Sequence, residues 1–103
     1  MKFNYMDGNN NILATVYVDS RTKEVSFINY TNNIFARPFG ISETATFNDV
    51  IDFFKERTFP ENRVNLKDIL KQMGLKEYDP YLMCKKLKGR TEQDPYWIEF
   101  LED

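Results

Sequence analysis

One hundred and three residues suffice for one domain and leave no room for two independent cores; 29% charged residues beside nine Phe, six Tyr and one Trp keep the chain out of the disordered regime. Fourteen Lys and Arg against sixteen Asp and Glu give a net charge of −2, which excludes a domain-wide basic footprint for nucleic acid. A lone Cys84 rules out an internal disulfide, no charged leader precedes an apolar stretch, and no apolar run nears the ~18 residues of a membrane span, so the chain reads as cytoplasmic with no membrane partner.

Residues 1–103 read as a single α+β domain, beginning with strands over about 2–30. KFNYM (2–6) alternates, and Asp7-Gly8 with three asparagines supplies a turn. NILATVYV places Ile12, Ala14, Val16 and Val18 on one side and Leu13, Thr15 and Tyr17 on the other. After a second turn at 19–23, EVSFINY alternates again through Val25 and Phe27. Connections of hairpin length predict an antiparallel three-stranded meander. Residues 31–45 have no clean period, and Arg37-Pro38-Phe39-Gly40 breaks any element there, so a loop is expected to cross from sheet to helices.

Helical spacing takes over for about 46–88. Thr46 is an N-cap with Asp49 in the capping-box position, and Phe47, Val50, Ile51 and Phe54 recur on one face. That helix should stop before Pro60, because the residue ahead of a proline disfavours the α region. A second helix is expected from about Pro60–Asn62 to Met73, with Ile69, Leu70 and Met73 in its stripe and Gly74 as C-cap. A third starts at Asp79-Pro80, an N-cap acid followed by proline, and ends before Gly89. The segment at about 96–100, Tyr96 to Phe100, reads as a short strand able to rejoin the sheet as a fourth. The expected core is Val16, Val25, Phe27, Phe47, Ile51, Phe54, Ile69, Leu70 and Trp97.

RTFPENR, Arg57 to Arg63, occupies the joint between the first two helices. Arg57 falls near a helix C-terminus, where a cation is favoured by the dipole. Arg63 falls in the expected first turn of the next helix, where a cation is disfavoured and calls for an anionic partner. Asp94, Glu99 or another carboxylate can supply it through a bidentate bond. Both arginines are therefore expected to clamp the joint against the segment around Asp94 and Trp97. On that basis truncating Arg63 should cost about 2–4 kcal/mol.

Arg57-x-x-Pro60-x-x-Arg63, then Leu66, Ile69-Leu70, Gly74-Leu75, Gly89 and the ending Asp94-x-Tyr96-Trp97-Ile98 form one connected pattern. It resembles the leader segment that precedes the kinase domain in HipA-like proteins of Firmicutes and their mobile elements. The similarity spans about residues 1 to 100, with the specific motifs confined to 53–98. With no kinase part after the tryptophan motif, no catalytic or nucleotide-binding residue carries over. The resemblance implies a stand-alone relative of such a leader, one that packs against or is read by another protein.

The absence of His removes Ser-His-Asp and Cys-His arrangements and most zinc sites. Cys84 reads as a small buried hydrophobe rather than a nucleophile. The carboxylate pairs Asp49/Asp52, Glu92/Asp94 and Glu102/Asp103 sit at helix starts, in turns or at the end, where acids cap and solubilise. The four glycines are isolated, so no phosphate loop is present. An enzyme is not expected, nor any cofactor or metal.

Two surface features remain. Lys85, Lys86, Lys88 and Arg90 form a basic knot near Tyr78 and Tyr81. It is read chiefly as dipole complementation and otherwise as a weak, salt-sensitive phosphate contact. Tyr78, Tyr81 and Tyr96, with Arg57 and Arg63, are the candidates for contact with protein, since large aromatic side chains anchor interfaces well. The functional expectation is a small non-enzymatic protein-binding regulator, monomeric or homodimeric, acting as inhibitor or antitoxin-like partner of a larger bacterial protein such as a HipA-like kinase. One alternative is a phage- or plasmid-encoded inhibitor, such as an anti-CRISPR protein, acting on an effector nuclease. The other is a weak nucleic-acid-binding module working through residues 85–90.

Overall fold

The structure, a computed structural model describing residues 1–102, is α+β. Strands β1 (Lys2–Met6), β2 (Ile12–Val18), β3 (Val25–Asn29) and β4 (Trp97–Glu102) form one antiparallel sheet in the order β3-β2-β1-β4. The C-terminal segment thus joins as the fourth strand, beside the N-terminal one. Helices α1 (Phe47–Glu56), α2 (Leu66–Met73) and α3 (Pro80–Leu87) lie between β3 and β4 in the chain. A single 3-10 turn, Ile34–Ala36, interrupts the crossing loop.

Strand register separates the two faces. Phe27, Val16, Phe3 and Phe100 stand abreast across the sheet, and Ala14, Tyr5 and Ile98 form the next inward row. Against them α1 lays Val50, Phe53 and Phe54, and α3 adds Cys84. Rings dominate the packing: Phe3 meets Phe53, Phe54 and Phe100 with centroids 5.3–6.0 Å apart, and Tyr5 stands edge-on to Phe53 at 5.0 Å. Such pairs add to the area each ring removes from water. On the opposite face, Thr15 donates to Asn4 (2.6 Å) and Asn4 donates to Glu99 (3.0 Å), so the buried Asn4 amide is satisfied.

Local signals act as their chemistry requires. Thr46 and Asp49 form the reciprocal capping box of α1, and Asp79 caps α3 with Pro80 in the first turn. Gly74 ends α2 in the left-handed conformation, as expected of a C-cap glycine.

Three expectations are corrected. First, α2 begins at Leu66 rather than near residues 60–62: residues 60–65 form turns, with Arg63 N–H bonded to the Pro60 carbonyl and Leu66 N–H to that of Arg63. Second, α2 buries only Leu70, so the main helical layer on the sheet is α1 with α3. Third, Trp97 is only half-buried, because alternation in β4 turns Ile98 into the core and Trp97 to the other face, beside Met6. Its indole N–H donates to the Asp7 carbonyl at 3.2 Å.

Candidate functional site

Arg57, the C-cap residue of α1, is held inside the molecule and is 6% exposed. Its two Nη groups grip both Asp94 carboxylate oxygens, at 2.7 and 2.9 Å. Nη2 also donates to the Tyr96 carbonyl at 2.8 Å, and Nε donates to the Gly89 carbonyl at 2.9 Å. Four of the five guanidinium N–H groups are thereby used, and the plane lies 5.5 Å from the Tyr5 ring. One side chain ties the end of α1 to the exit of α3 and the entry of β4.

Close packing leaves little freedom around this hub. Gly89 has φ +63°, and a Cβ placed there would meet Ile98 Cδ1 at 2.6 Å and Cγ1 at 2.8 Å. Ile98 N–H donates to the Lys88 carbonyl (2.7 Å), and Tyr96 N–H donates to Asp94 (3.0 Å). Hydrogen bonds from Arg57 hold the Asp94 carboxyl below its ordinary value, against some opposing burial. Burial pushes the Tyr5 hydroxyl and the Cys84 thiol each up to about 12, although Arg57 pulls both down. The Cys84 thiol also donates to the Phe54 carbonyl at 3.2 Å, so it is a buried, weakly acidic group rather than a ready thiolate.

Arg63 does not share in this clamp, contrary to expectation. It is exposed, its Nε bonds Asn65 Oδ1 at 3.2 Å, and its guanidinium lies 4.8 Å over the Phe59 ring. The reason is the late start of α2: the turns at 60–65 carry Arg63 away from Asp94. Between the α1–α2 joint and the α3–β4 connection lies an open groove of about 630 Å³. Thr58, Phe59, Pro60 and Arg63 contribute from the joint, with Glu56 at the end of α1. Leu87 and residues 90–93 face them. Thr58 Oγ1 is buried with no hydrogen-bond partner among the described residues.

The other candidates divide between scaffold and surface. Tyr78 donates from its hydroxyl to the Phe59 carbonyl (2.9 Å) and fixes the joint from behind. Tyr81 packs against Phe54 and Phe100, each with centroids 5.8 Å apart, and Tyr96 meets Tyr5 edge-on at 5.5 Å. All three tyrosines are half-buried and serve the core as much as the surface. Within the basic knot, Lys85 lies over Tyr81 (5.3 Å) and Arg90 over Trp97 (4.8 Å). Lys88 takes the left-handed C-cap position of α3, and Lys86 and Lys88 are exposed.

Several aspartates serve the backbone. Asp7 and Asp19 each accept turn N–H groups, which lowers both carboxyls, and Asp49 and Asp79 cap helices. Asp103 lies outside the described residues, so the Glu102/Asp103 pair is not placed. Among the described residues no group of three or more His, Cys, Asp or Glu is arranged to hold a metal ion, and no helix is long and apolar enough to cross a membrane.

Sequence reasoning missed both the groove and a set of exposed apolar side chains. Ile28, Tyr30, Phe35 and Ile41 are exposed, Phe35 at 89% and Ile41 at 78%. A run without clean period but rich in large apolar residues was the available signal for that surface. The groove had none, because its walls are about thirty residues apart in the chain. Comparison with family models, curated proteins and solved structures finds no match.

Proposed function

We propose that this chain is a small, non-enzymatic protein-binding regulator that inhibits or accompanies a larger bacterial protein, with a HipA-like kinase as the first partner to test. The observation that carries this reading is the segment running from β3 through the crossing loop. There Ile28, Tyr30, Phe35 and Ile41 face solvent while the domain fills its core with other residues. Loops present binding residues on a scaffold that holds them, and large apolar side chains left exposed close together in the chain favour association with another protein. Cys84 and Arg57 are enclosed, and Asp7, Asp19, Asp49 and Asp79 act as caps or turn acceptors, which is consistent with a binding role.

Titration of a purified HipA-like kinase with this protein, followed by calorimetry and light scattering, tests the reading. A saturable complex that weakens at least about tenfold with Phe35→Asp, at unchanged melting temperature, supports it. Undiminished binding by Phe35→Asp moves the contact elsewhere. No complex with the kinase, but one with an RNA-guided nuclease, replaces the partner. No complex with either, together with retention of single-stranded DNA at low salt, overturns the reading in favour of nucleic acid.

A further inference from the structure

The two edges of the sheet are finished differently. At β3, Tyr30 N–H donates to the Leu13 carbonyl, and Asp19 N–H donates to the Glu24 carbonyl. With Thr15 opposite Ile28 and Tyr17 opposite Ser26 between those bonds, the even-numbered residues of β3 direct their backbone groups at β2. Val25, Phe27 and Asn29 therefore point N–H and C=O away from the sheet. None of these groups has a hydrogen-bond partner among the described residues. Buried backbone groups are almost always paired, so a row of unpaired ones marks an edge open to solvent.

β4, the other edge, is guarded. Ile98 N–H donates away from β1, to the Lys88 carbonyl, and Glu99 and Glu102 place charge along the strand. Residues 25–30, VSFINY, carry no charge and no proline, and β3 has no register shift against β2. Proteins commonly protect an edge by one of these means, and β3 has none of them. We propose that β3 pairs with β3 of a second copy of this chain, antiparallel about a two-fold axis at Phe27, joining the two sheets into one. In that register Phe27 faces Phe27, and Val25 faces Asn29 of the second copy, so each outward N–H meets an outward C=O. On the face away from the helices, Ile28 falls opposite Ser26 of the second copy, a large side chain beside a small one. Glu24 falls opposite Tyr30 of the second copy, so no like charges meet. With β4 guarded, the pairing closes at two copies instead of growing into a fibre. A strand of five residues makes a small interface, so dissociation in the micromolar range is expected. The pairing is independent of the proposed contact with a larger protein at Phe35.

Sedimentation of the whole chain from about 5 to 500 µM, with amide hydrogen exchange followed by NMR, tests it. The average mass should rise from 12.3 kDa toward twice that value. Exchange of the Val25, Phe27 and Asn29 N–H groups should slow as the dimer forms, while Ser26 and Ile28, already bonded to β2, stay unchanged. The variant Ser26→Glu/Ile28→Glu places like charges opposite one another across the seam. It should weaken the dimer at least about tenfold without unfolding the dilute chain, since both side chains are exposed. Mixing it with Ser26→Lys/Ile28→Lys should restore a one-to-one pair, because the charges are then opposite in this register. A mass that stays at 12.3 kDa throughout overturns the proposal. So does growth beyond two copies, or a dimer in which the outward N–H groups exchange as fast as before. Protection of those groups only on addition of a HipA-like kinase overturns it in favour of a strand supplied by that protein. Phe35→Asp should leave the dimer intact, so its effect on the larger partner is read separately.

Discussion

Two arginines six positions apart in one joint meet opposite fates. Arg57 is enclosed, bidentate to Asp94 and bonded to two backbone carbonyls; Arg63 stands in solvent over a phenylalanine ring. The joint therefore has an inner side that holds the fold and an outer side that lines a groove. Pro60 lies between them and helps keep the two directions apart, since its ring fixes the local backbone. The lesson is that residue type and motif spacing do not assign a role. Two identical charges diverge because one follows the last turn of a packed helix and the other precedes a helix that stands off the core.

The widest contrast should appear when the inner arginine is truncated. Arg57→Ala leaves Asp94 and the Gly89 and Tyr96 carbonyls without their donor. Urea denaturation should show a loss of about 3–4 kcal/mol, toward the lower part of the range for broken buried pairs because Asp94 is partly solvated. A loss below about 1 kcal/mol would mean that the hub is not what holds β4 to the helices.

Gly89→Ala tests the same hub through packing rather than charge. A methyl group there would meet the fully buried Ile98 at under 3 Å, in a backbone conformation that L side chains rarely adopt. A loss of about 2 kcal/mol is expected. The double variant Gly89→Ala/Ile98→Val should recover part of it, because shortening Ile98 removes the Cδ1 atom that lies closest.

Acid offers a smaller and more specific probe. The Asp94 carboxyl is depressed in the folded protein, so its contribution is fully present above the ~3.9 of an unfolded aspartate and is lost as pH falls through the lower folded value. Melting temperature should accordingly fall more steeply below pH ~4 in the parent chain than in Asp94→Asn. At neutral pH the variant should be about 1–2 kcal/mol less stable, since the amide keeps one acceptor for Arg57. Parallel acid limbs would show that the pair contributes nothing through charge.

Arg63→Ala should move stability least. With no buried partner, its change should fall within about 0.5 kcal/mol by the same denaturation assay. That replaces the 2–4 kcal/mol expected while Arg63 was placed in the clamp. A large loss would return Arg63 to the scaffold.

Local chemistry made much of the fold legible. The alternation of residues 2–6, 12–18 and 25–29, the Thr46–Asp49 capping box, Asp79-Pro80 and Gly74 all operate over a few residues and could be read directly. The core was legible in part: Val16, Phe54 and Leu70 are buried as expected, whereas Phe3, Tyr5 and Ile98 went unrecognised and Trp97 was misplaced. Trp97 and Ile98 are adjacent and both apolar. Only the register of β4 against β1, Tyr5 opposite Ile98 and Met6 opposite Trp97, decides which enters the core. At the site, Asp94 was named as a partner for the joint, but the arginine that receives it wholly was not distinguished.

The sequence by itself determined the order of strands and helices, the caps that start α1 and α3 and end α2, and that the first three strands run antiparallel, because each of these follows from bonds and contacts between near neighbours in the chain. Tertiary structure alone decided which arginine is buried, which face Trp97 takes, and that residues 56–63 and 87–93 enclose a common groove. Arg57 and Asp94 are 37 positions apart. Their meeting depends on α1 and α3 packing together over the sheet and on β4 closing beside β1, and no local pattern encodes the sum of those placements.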